Sequence, residues 1–397
     1  MSQKNSTKIP SVLRLWRNKD SRAIIIQIIT LIAIITFFVM VARNIAFNLS
    51  AIGKDFSFGF LFWPTAYDIT FSPFIEYSNK STHLEAAIVG ALNTLLVAGC
   101  GVILATILGF SMGILRLSQN WLIKKIVYAI IDFLRNVPVL LQILATYALI
   151  LTTLPPSKKA INVLGESFFL SNRGFYMPSP VFETKSEWIG ILLIVSIIFS
   201  YFFKKWAKIK QNKTGEIFPV LSIIFLVIFS TFFVSYFSLG MPITWDIPVL
   251  KGFNYKGGLV IKPEFLALWL SLSIYTSCFI AEIVRAGILS VNKGQTEAAY
   301  ALGLRKNRTL HLVIVPQALR VIIPPLSSQY LNLTKNSSLA IAIAYMDITA
   351  TIGGISLMQT GKEMETMLIV MGFYLIISLI ISSFMNWFNK RIKITER

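Results

Sequence analysis

Glu297-Ala298-Ala299, Gly303 four residues past the second alanine, and Val313-Ile314-Val315-Pro316 starting ten residues beyond that glycine form a spaced set between two strongly apolar segments. The work such a set can do is mechanical rather than bond-making. Glu297 to Leu302 favours helix, Gly303 permits a turn that residues with a Cβ resist, and Asn307 or Thr309 can cap a second helix that Pro316 interrupts. A polar, basic helix pair of this kind can seat itself in the cleft of a partner.

A second set consists of polar residues inside apolar segments, where each is costly: Asp132, Arg135, Asn332, Thr334, Lys335, Asn336, Ser337 and Ser338. The i to i+3 spacing of Asp132 and Arg135 puts opposite charges on one helix face and predicts an intramembrane ion pair beside the Pro138 break. A pair that steadies a kink is the preferred reading over direct substrate contact. Asn332 to Ser338 falls in mid-span after Pro324-Pro325, at a depth where polar backbone survives only against a cavity or other protein. Two readings stay open. Asn332, Lys335, Asn336 and Ser337 line a transport pathway, with Lys335 attracting a carboxylate, or they hold two membrane subunits together.

No residue is expected to be catalytic. The phosphate cradle G-x-x-x-x-G-K-[ST] does not occur in the sequence, so any ATP hydrolysis belongs to another chain. His83 and His311 stand apart from any ligand cluster, which leaves no metal site and no cofactor to expect, and His311 reads as packing within the second helix of the pair.

The elements that position these residues follow from composition. A chain of 397 residues, 55% hydrophobic and 14% charged, carries too much apolar surface for one soluble core. Spans of roughly 20 apolar residues are expected at 23–42, 87–115, 126–153, 188–203, 217–239, 264–284, 321–345 and 366–387. The fold class is therefore an all-α integral membrane protein with about eight transmembrane helices.

The net charge of +19 is a topology signal rather than a nucleic-acid footprint. With the amino terminus in the cytoplasm, 24 of the 37 Lys and Arg fall inside and 11 outside. The inner set includes Lys4, Lys8, Arg14, Arg17, Lys19, Arg22, the Lys204 to Lys213 cluster and the tail from Lys390, so both termini and the Glu297 loop are cytosolic. Cys100 and Cys278 lie in spans and read as small apolar residues. The first apolar run has a long basic lead and no small-x-small cleavage pattern, so it reads as a retained helix. In the outer loop that follows, Phe56, Phe58, Phe60, Phe62 and Trp63 alternate like a half-buried strand, although an interfacial aromatic belt is the preferred reading.

The Glu297, Ala298, Ala299, Gly303, Val313, Val315, Pro316 spacing resembles the EAA loop of permease subunits of binding-protein-dependent ABC importers. The valines stand where that family more often has Ile and Leu. Four further matches resemble the polar amino-acid permeases: Asn93-Thr94-Leu95; Phe133 to Gln142, like F-R-x-x-P-x-L-x-Q with one extra residue after Phe; Ala281 to Ile288 followed by Lys293-Gly294-Gln295; and Gln329 to Leu339. The long amino terminus and large central insertion are most similar to the general L-amino-acid permeases for glutamate, glutamine, aspartate and asparagine.

The resemblance implies a type I ABC importer core of five helices, with an extra N-terminal helix and a two-helix insertion. The segments would be a basic tail at 1–22, a helix at 23–42, an external loop at 43–86, the transmembrane domain at 87–387 interrupted by 155–262, and a tail at 388–397. It also implies an ATPase dimer, a second permease subunit (a heterodimer), a periplasmic amino-acid-binding protein, and an inner-membrane location with alternating access driven by ATP. Within the EAA loop, the alanines would allow close contact with the ATPase, Gly303 would set the turn and Glu297 would give a charged cap or contact. The alternative from another class is an autonomous ion-coupled carrier, which often has an internal repeat. No convincing repeat is visible in this sequence.

Overall fold

The computed structural model describes residues 19–51 and 53–392. The basic segment 1–18 and the last residues, 393–397, lie outside it. Among the described residues, seven helices are long and apolar enough to cross a membrane, and a bent pair supplies an eighth crossing if it counts as one span.

Helix α1 (Lys19–Ala51) buries none of its most apolar stretch against the rest of the chain. At 33 residues it is about 50 Å long, well beyond the hydrocarbon thickness. The loop after it does not form the strand that its alternating aromatics allow. Phe58–Phe62 make a 3-10 turn that buries Phe60 against the His83 ring, while Phe56, Phe58, Phe62 and Trp63 stay exposed.

Helix α2 (His83–Leu115) opens with a reciprocal cap: Thr82 Oγ1 accepts from Glu85 N at 3.3 Å, and Glu85 Oε2 accepts from Thr82 N at 2.9 Å. The expected third span is not one helix. It is α3 (Trp121–Asn136) and α4 (Val139–Thr153), bent by 105°. Pro138 lacks the N–H that would continue the ladder, and the Gln142 side chain compensates by donating to Leu134 O at 2.7 Å and Val137 O at 3.0 Å.

Residues 161–261 carry short strands that the sequence pattern does not announce, within a fold that is otherwise mostly helical. The strands β1 (Ile161–Leu164), β2 (Phe168–Ser171), β3 (Gly174–Met177) and β4 (Ser179–Phe182) precede α5 (Ser186–Thr214) and α6 (Val220–Ser238). After them come β5 (Ile243–Asp246), β6 (Val249–Lys251), β7 (Asn254–Lys256) and β8 (Leu259–Ile261). The sheet order is β1-β2-β3-β8, with separate β4-β5 and β6-β7 pairs. Phe175 pairs with Ile261, so the two ends of this segment meet at a neck. Helix α5 runs on through Lys204, Lys205, Lys208, Lys210 and Lys213, so the basic cluster sits on a helix end rather than in a loop.

Helix α7 (Pro263–Leu289) is the central helix and packs closely along α2. A Cβ on Gly109 would lie 2.5 Å from Ile280 Cγ2, and one on Gly113 2.7 Å from Ala281 O. Small residues let these backbones approach, which is how helices associate where lipid removes the hydrophobic drive. Then follow α8 (Lys293–Ala301), α9 (Lys306–Thr309), a π turn (Leu310–Ile314), α10 (Val315–Asn336) and a 3-10 segment (Ser337–Ile343). The chain ends with α11 (Ile348–Ala350), a second π turn (Thr351–Ser356), α12 (Leu357–Thr360) and α13 (Glu363–Ile392). The main core gathers Val97, Ala105, Leu268, Leu272, Ile280, Ile322 and Leu333 from α2, α7 and α10.

Candidate coupling loop and pathway

Asn292 caps α8 by accepting from Gly294 N at 2.9 Å. At the other end Gly303 takes φ +76°, Leu304 N donates to Ala299 O at 3.1 Å and Gly303 N donates to Tyr300 O at 2.9 Å. This is a Schellman cap, which needs the left-handed conformation that glycine adopts without strain. Ala299 turns inward and is 4% exposed, while Glu297 and Ala298 face out beside Leu302, which is 82% exposed.

The second helix begins differently from expectation. Arg305 is its N-cap residue, no side chain caps it, and Thr309 is buried inside it with Oγ1 donating to Arg305 O at 3.3 Å. Pro316 sits in a run that is helical on both sides, directly after the π turn in which the backbone leaves the α ladder, so the interruption at this proline is a local change of winding rather than a break. Gln317 Nε2 donates to Gln295 Oε1 at 3.2 Å and ties the first turn of α10 to α8.

On α10, Ile322, Ile323, Leu326, Leu333 and Thr334 are buried, whereas Val321, Pro324, Pro325, Ser328, Asn332 and Lys335 are exposed. Their spacing of three and four makes one stripe along the helix. Tyr330 OH contacts Thr106 Oγ1 at 2.9 Å, which fixes the buried side against α2 and turns the stripe away from the core. Asn336 is half-buried and Ser337 fully buried, its Oγ donating to Thr334 O at 2.7 Å. Asn332 and Lys335 therefore share a face that Ser337 does not. Among the described residues, no acidic side chain pairs with Lys335.

The Asp132–Arg135 ion pair is not formed. Both side chains are exposed on α3, and the Arg135 guanidinium lies 4.9 Å from the centre of the Phe279 ring. A ring face on α7 holds this cation where a carboxylate was expected.

Two polar groups went unnoticed in the sequence reading. Glu282 bonds both Arg116, from the end of α2, and Arg285, whose Nε donates to it at 3.1 Å. The Glu282 to Arg285 spacing was the available signal. The second group centres on Asp347, 0% exposed, which accepts from Ala350 N at 2.8 Å and Tyr374 OH at 3.2 Å. Tyr374 OH also lies 3.5 Å from Ser337 Oγ and 3.3 Å from Thr349 Oγ1. Burial pushes the Asp347 carboxyl up to about 6, against the pull of the Ala350 and Tyr374 bonds. Asn93 and Thr94 clamp the same segment, through Asn93 Nδ2 to Met346 O at 2.9 Å and Thr94 Oγ1 accepting from Ile348 N at 3.2 Å.

The sequence model of a family described as binding-protein-dependent transport system inner membrane component matches residues 105–394. The general L-amino acid transport system permease protein AapQ of Rhizobium johnstonii is 45% identical over 95% of this chain and 93% of its own. The glutamate/glutamine/aspartate/asparagine transport system permease protein BztB of Rhodobacter capsulatus is 45% identical over 95% of both chains. A putative amino-acid ABC transporter permease protein of Escherichia coli, YhdX, is 43% identical over the full length of both.

Proposed function

The chain belongs to the binding-protein-dependent transport system inner membrane components, as a polar amino-acid permease of an ABC importer, and from that premise we propose that it carries glutamate, glutamine, aspartate and asparagine. It is a multi-pass inner-membrane subunit and not itself the ATPase. A separate ATPase and a binding protein complete such a system. In our reading a second, different permease completes the membrane part, both termini face the cytoplasm, and residues 155–262 interrupt a five-helix core.

The observation that carries the reading is the surface of α8. Glu297, Ala298 and Leu302 stand outward on a helix held by a side-chain cap at one end and a Schellman cap at the other, between two core helices. Such a knob can dock in an ATPase cleft, and closure of the ATPase dimer then shifts α8 with α7 and α10 attached. Rigid-body movement of this kind converts local docking into alternating access. The stripe of Ser328, Asn332 and Lys335 supplies the polar wall of the pathway, with Asn336 at its edge. Lys335 offers a charge to the carboxylate that all four substrates carry. Ser337, buried and bonded to the helix backbone, supports that wall rather than facing it.

The test is recovery of partners from the native membrane with wild type and Glu297→Arg, followed by uptake in reconstituted vesicles. Recovery of an ATPase and a second permease with wild type, and loss of the ATPase alone with the variant, is expected. An ATPase that stays bound at full stoichiometry to Glu297→Arg, with normal uptake, would overturn the docking role. For the pathway, Lys335→Ala with unchanged transport rate and affinity would remove Lys335 from it.

A further inference from the structure

Beside the coupling loop lies a cavity that the transport reading does not use. It encloses about 750 Å³ and is lined by Arg116, Trp121, Lys124, Lys125, Tyr128 and Arg285, with two leucines. Three elements build it: the end of α2, the first two turns of α3 and the last turns of α7. Arg116 stacks its guanidinium 4.9 Å from the Tyr128 ring centre, and Lys125 holds its ammonium 4.9 Å from that of Trp121. Glu282 is the acid that bonds the two arginines. Four cations against one carboxylate leave the lining strongly positive, an arrangement whose self-repulsion an anion relieves.

The identity of the anion follows from α3. This helix turns 105° from α4, so if α4 crosses the bilayer, α3 lies near the membrane plane. One face buries Val127 and Ile131 against Cys278 and Ala281, while Trp121, Leu122, Ile126 and Phe133 are exposed beside the lysines. An amphipathic helix with basic and aromatic residues of this kind lies in the headgroup layer. A basic pocket between helices at that level suits an anionic lipid headgroup.

We propose that this cavity binds the phosphate of an anionic phospholipid, held by Arg116, Lys124, Lys125 and Arg285, with an acyl chain along Leu122 and Ile126. Because Arg285 lies on the last turns of α7, immediately before α8, the bound lipid braces the root of the coupling loop. This rests on the cytoplasmic orientation proposed above.

The experiment compares the purified complex with a Lys124→Gln/Lys125→Gln variant, which leaves the Glu282 bonds intact. Both are placed in vesicles of phosphatidylcholine with or without phosphatidylglycerol, and retained lipid is read by native mass spectrometry alongside ATPase rate. The expected result is retention of phosphatidylglycerol by wild type, weakened roughly tenfold in the variant, with a matching loss of its stimulation of the ATPase. Lys80→Gln, in the outer loop, is the control expected to retain the lipid fully. Equal retention by wild type and the double variant would overturn the proposal. Displacement of the lipid by inorganic phosphate at equal concentration would overturn the lipid assignment in favour of a free-phosphate site. Labelling of Ser118→Cys by an impermeant thiol reagent tests orientation separately: reaction from the periplasmic side would sink the orientation and leave lipid retention to decide the pocket.

Discussion

Helices α7 and α6 are both apolar enough to cross a membrane, yet 61% of the most apolar stretch of α7 is buried and only 6% of that of α6. The difference lies in what each presents at its contacts. Against α7, α2 offers Gly109 and Gly113, while it turns Gly101 to Leu333 of α10, and α7 returns Ser273, Ser277 and Ala281, so backbones meet on several sides. The α5–α6 hairpin also meets through small residues, Ser196, Ser200 and Ser235, but along one seam, and Phe199, Phe225, Phe229 and Phe237 face outward. Hydropathy alone does not separate a core helix from a lipid-facing one. The distribution of small residues around the helix does.

The comparison breaks most sharply at glycine. Gly109→Leu would drive a side chain into Ile280 and toward Ser277 O, 3.0 Å from the would-be Cβ, and should destabilise the detergent-solubilised protein by about 3 kcal/mol or more. Gly190→Leu in α5 meets nothing within 4 Å and should leave thermal unfolding unchanged or slightly improved. Equal losses from both variants would mean that the α5–α6 hairpin is packed as tightly as the core.

The buried acid of the core provides the next effect. Asp347 has its carboxyl raised to about 6, so the folded protein holds that proton more tightly than the unfolded chain does. This contribution is present in full below the ordinary carboxylate range and is lost as pH rises through about 6. Asp347→Asn keeps a neutral acceptor for Ala350 and should flatten the melting profile between about pH 4 and 7, a difference of about 2–3 kcal/mol across that window. A profile for the variant as steep as that of wild type would rule Asp347 out as its source. A smaller loss, about 1–2 kcal/mol, is expected for Gln142→Ala, which leaves the Leu134 and Val137 carbonyls without their side-chain donor. Tyr147→Phe, one turn further along α4, removes a hydroxyl bond to Glu264 at 3.1 Å and should cost less.

Helices were legible because twenty consecutive apolar residues leave few alternatives, and Gly303 was legible as a turn because its spacing from a helix-favouring run demands a left-handed cap. The break at Pro138 was visible too, but not its 105° angle, since nothing local says where the Leu134 carbonyl finds a new donor. The Asp132–Arg135 pair failed for a related reason. Helical spacing shows that two charges share a face, not that a ring on another helix lies closer to one of them. Asp347 was overlooked because one acid between apolar residues has no period, and its partner Tyr374 is 27 residues away. The strands β1 to β8 escaped because three- and four-residue segments carry too little alternation to register.

The smallest effect expected on the core comes from the largest deletion. Phe182 pairs with Ile243 at the end of β4 and β5, and Glu183 N donates to Pro242 O at 3.0 Å, so the chain leaves and re-enters the hairpin at adjacent points. Replacing residues 183–242 by an Asn-Gly turn would convert β4–β5 into a two-residue β-hairpin whose backbone twist matches its strands. The neck closed by β3 and β8 would remain, and with it the entry to α7. If α5 and α6 only enlarge the lipid-facing rim, unfolding of the remaining core should change by less than about 1 kcal/mol, because the seam they lose is their own. Partner recovery and uptake should also persist. Loss of the second permease or of the binding protein from the shortened chain, with core stability unchanged, would instead make the hairpin an assembly surface, and its outward phenylalanines would then be contacts rather than lipid-facing side chains.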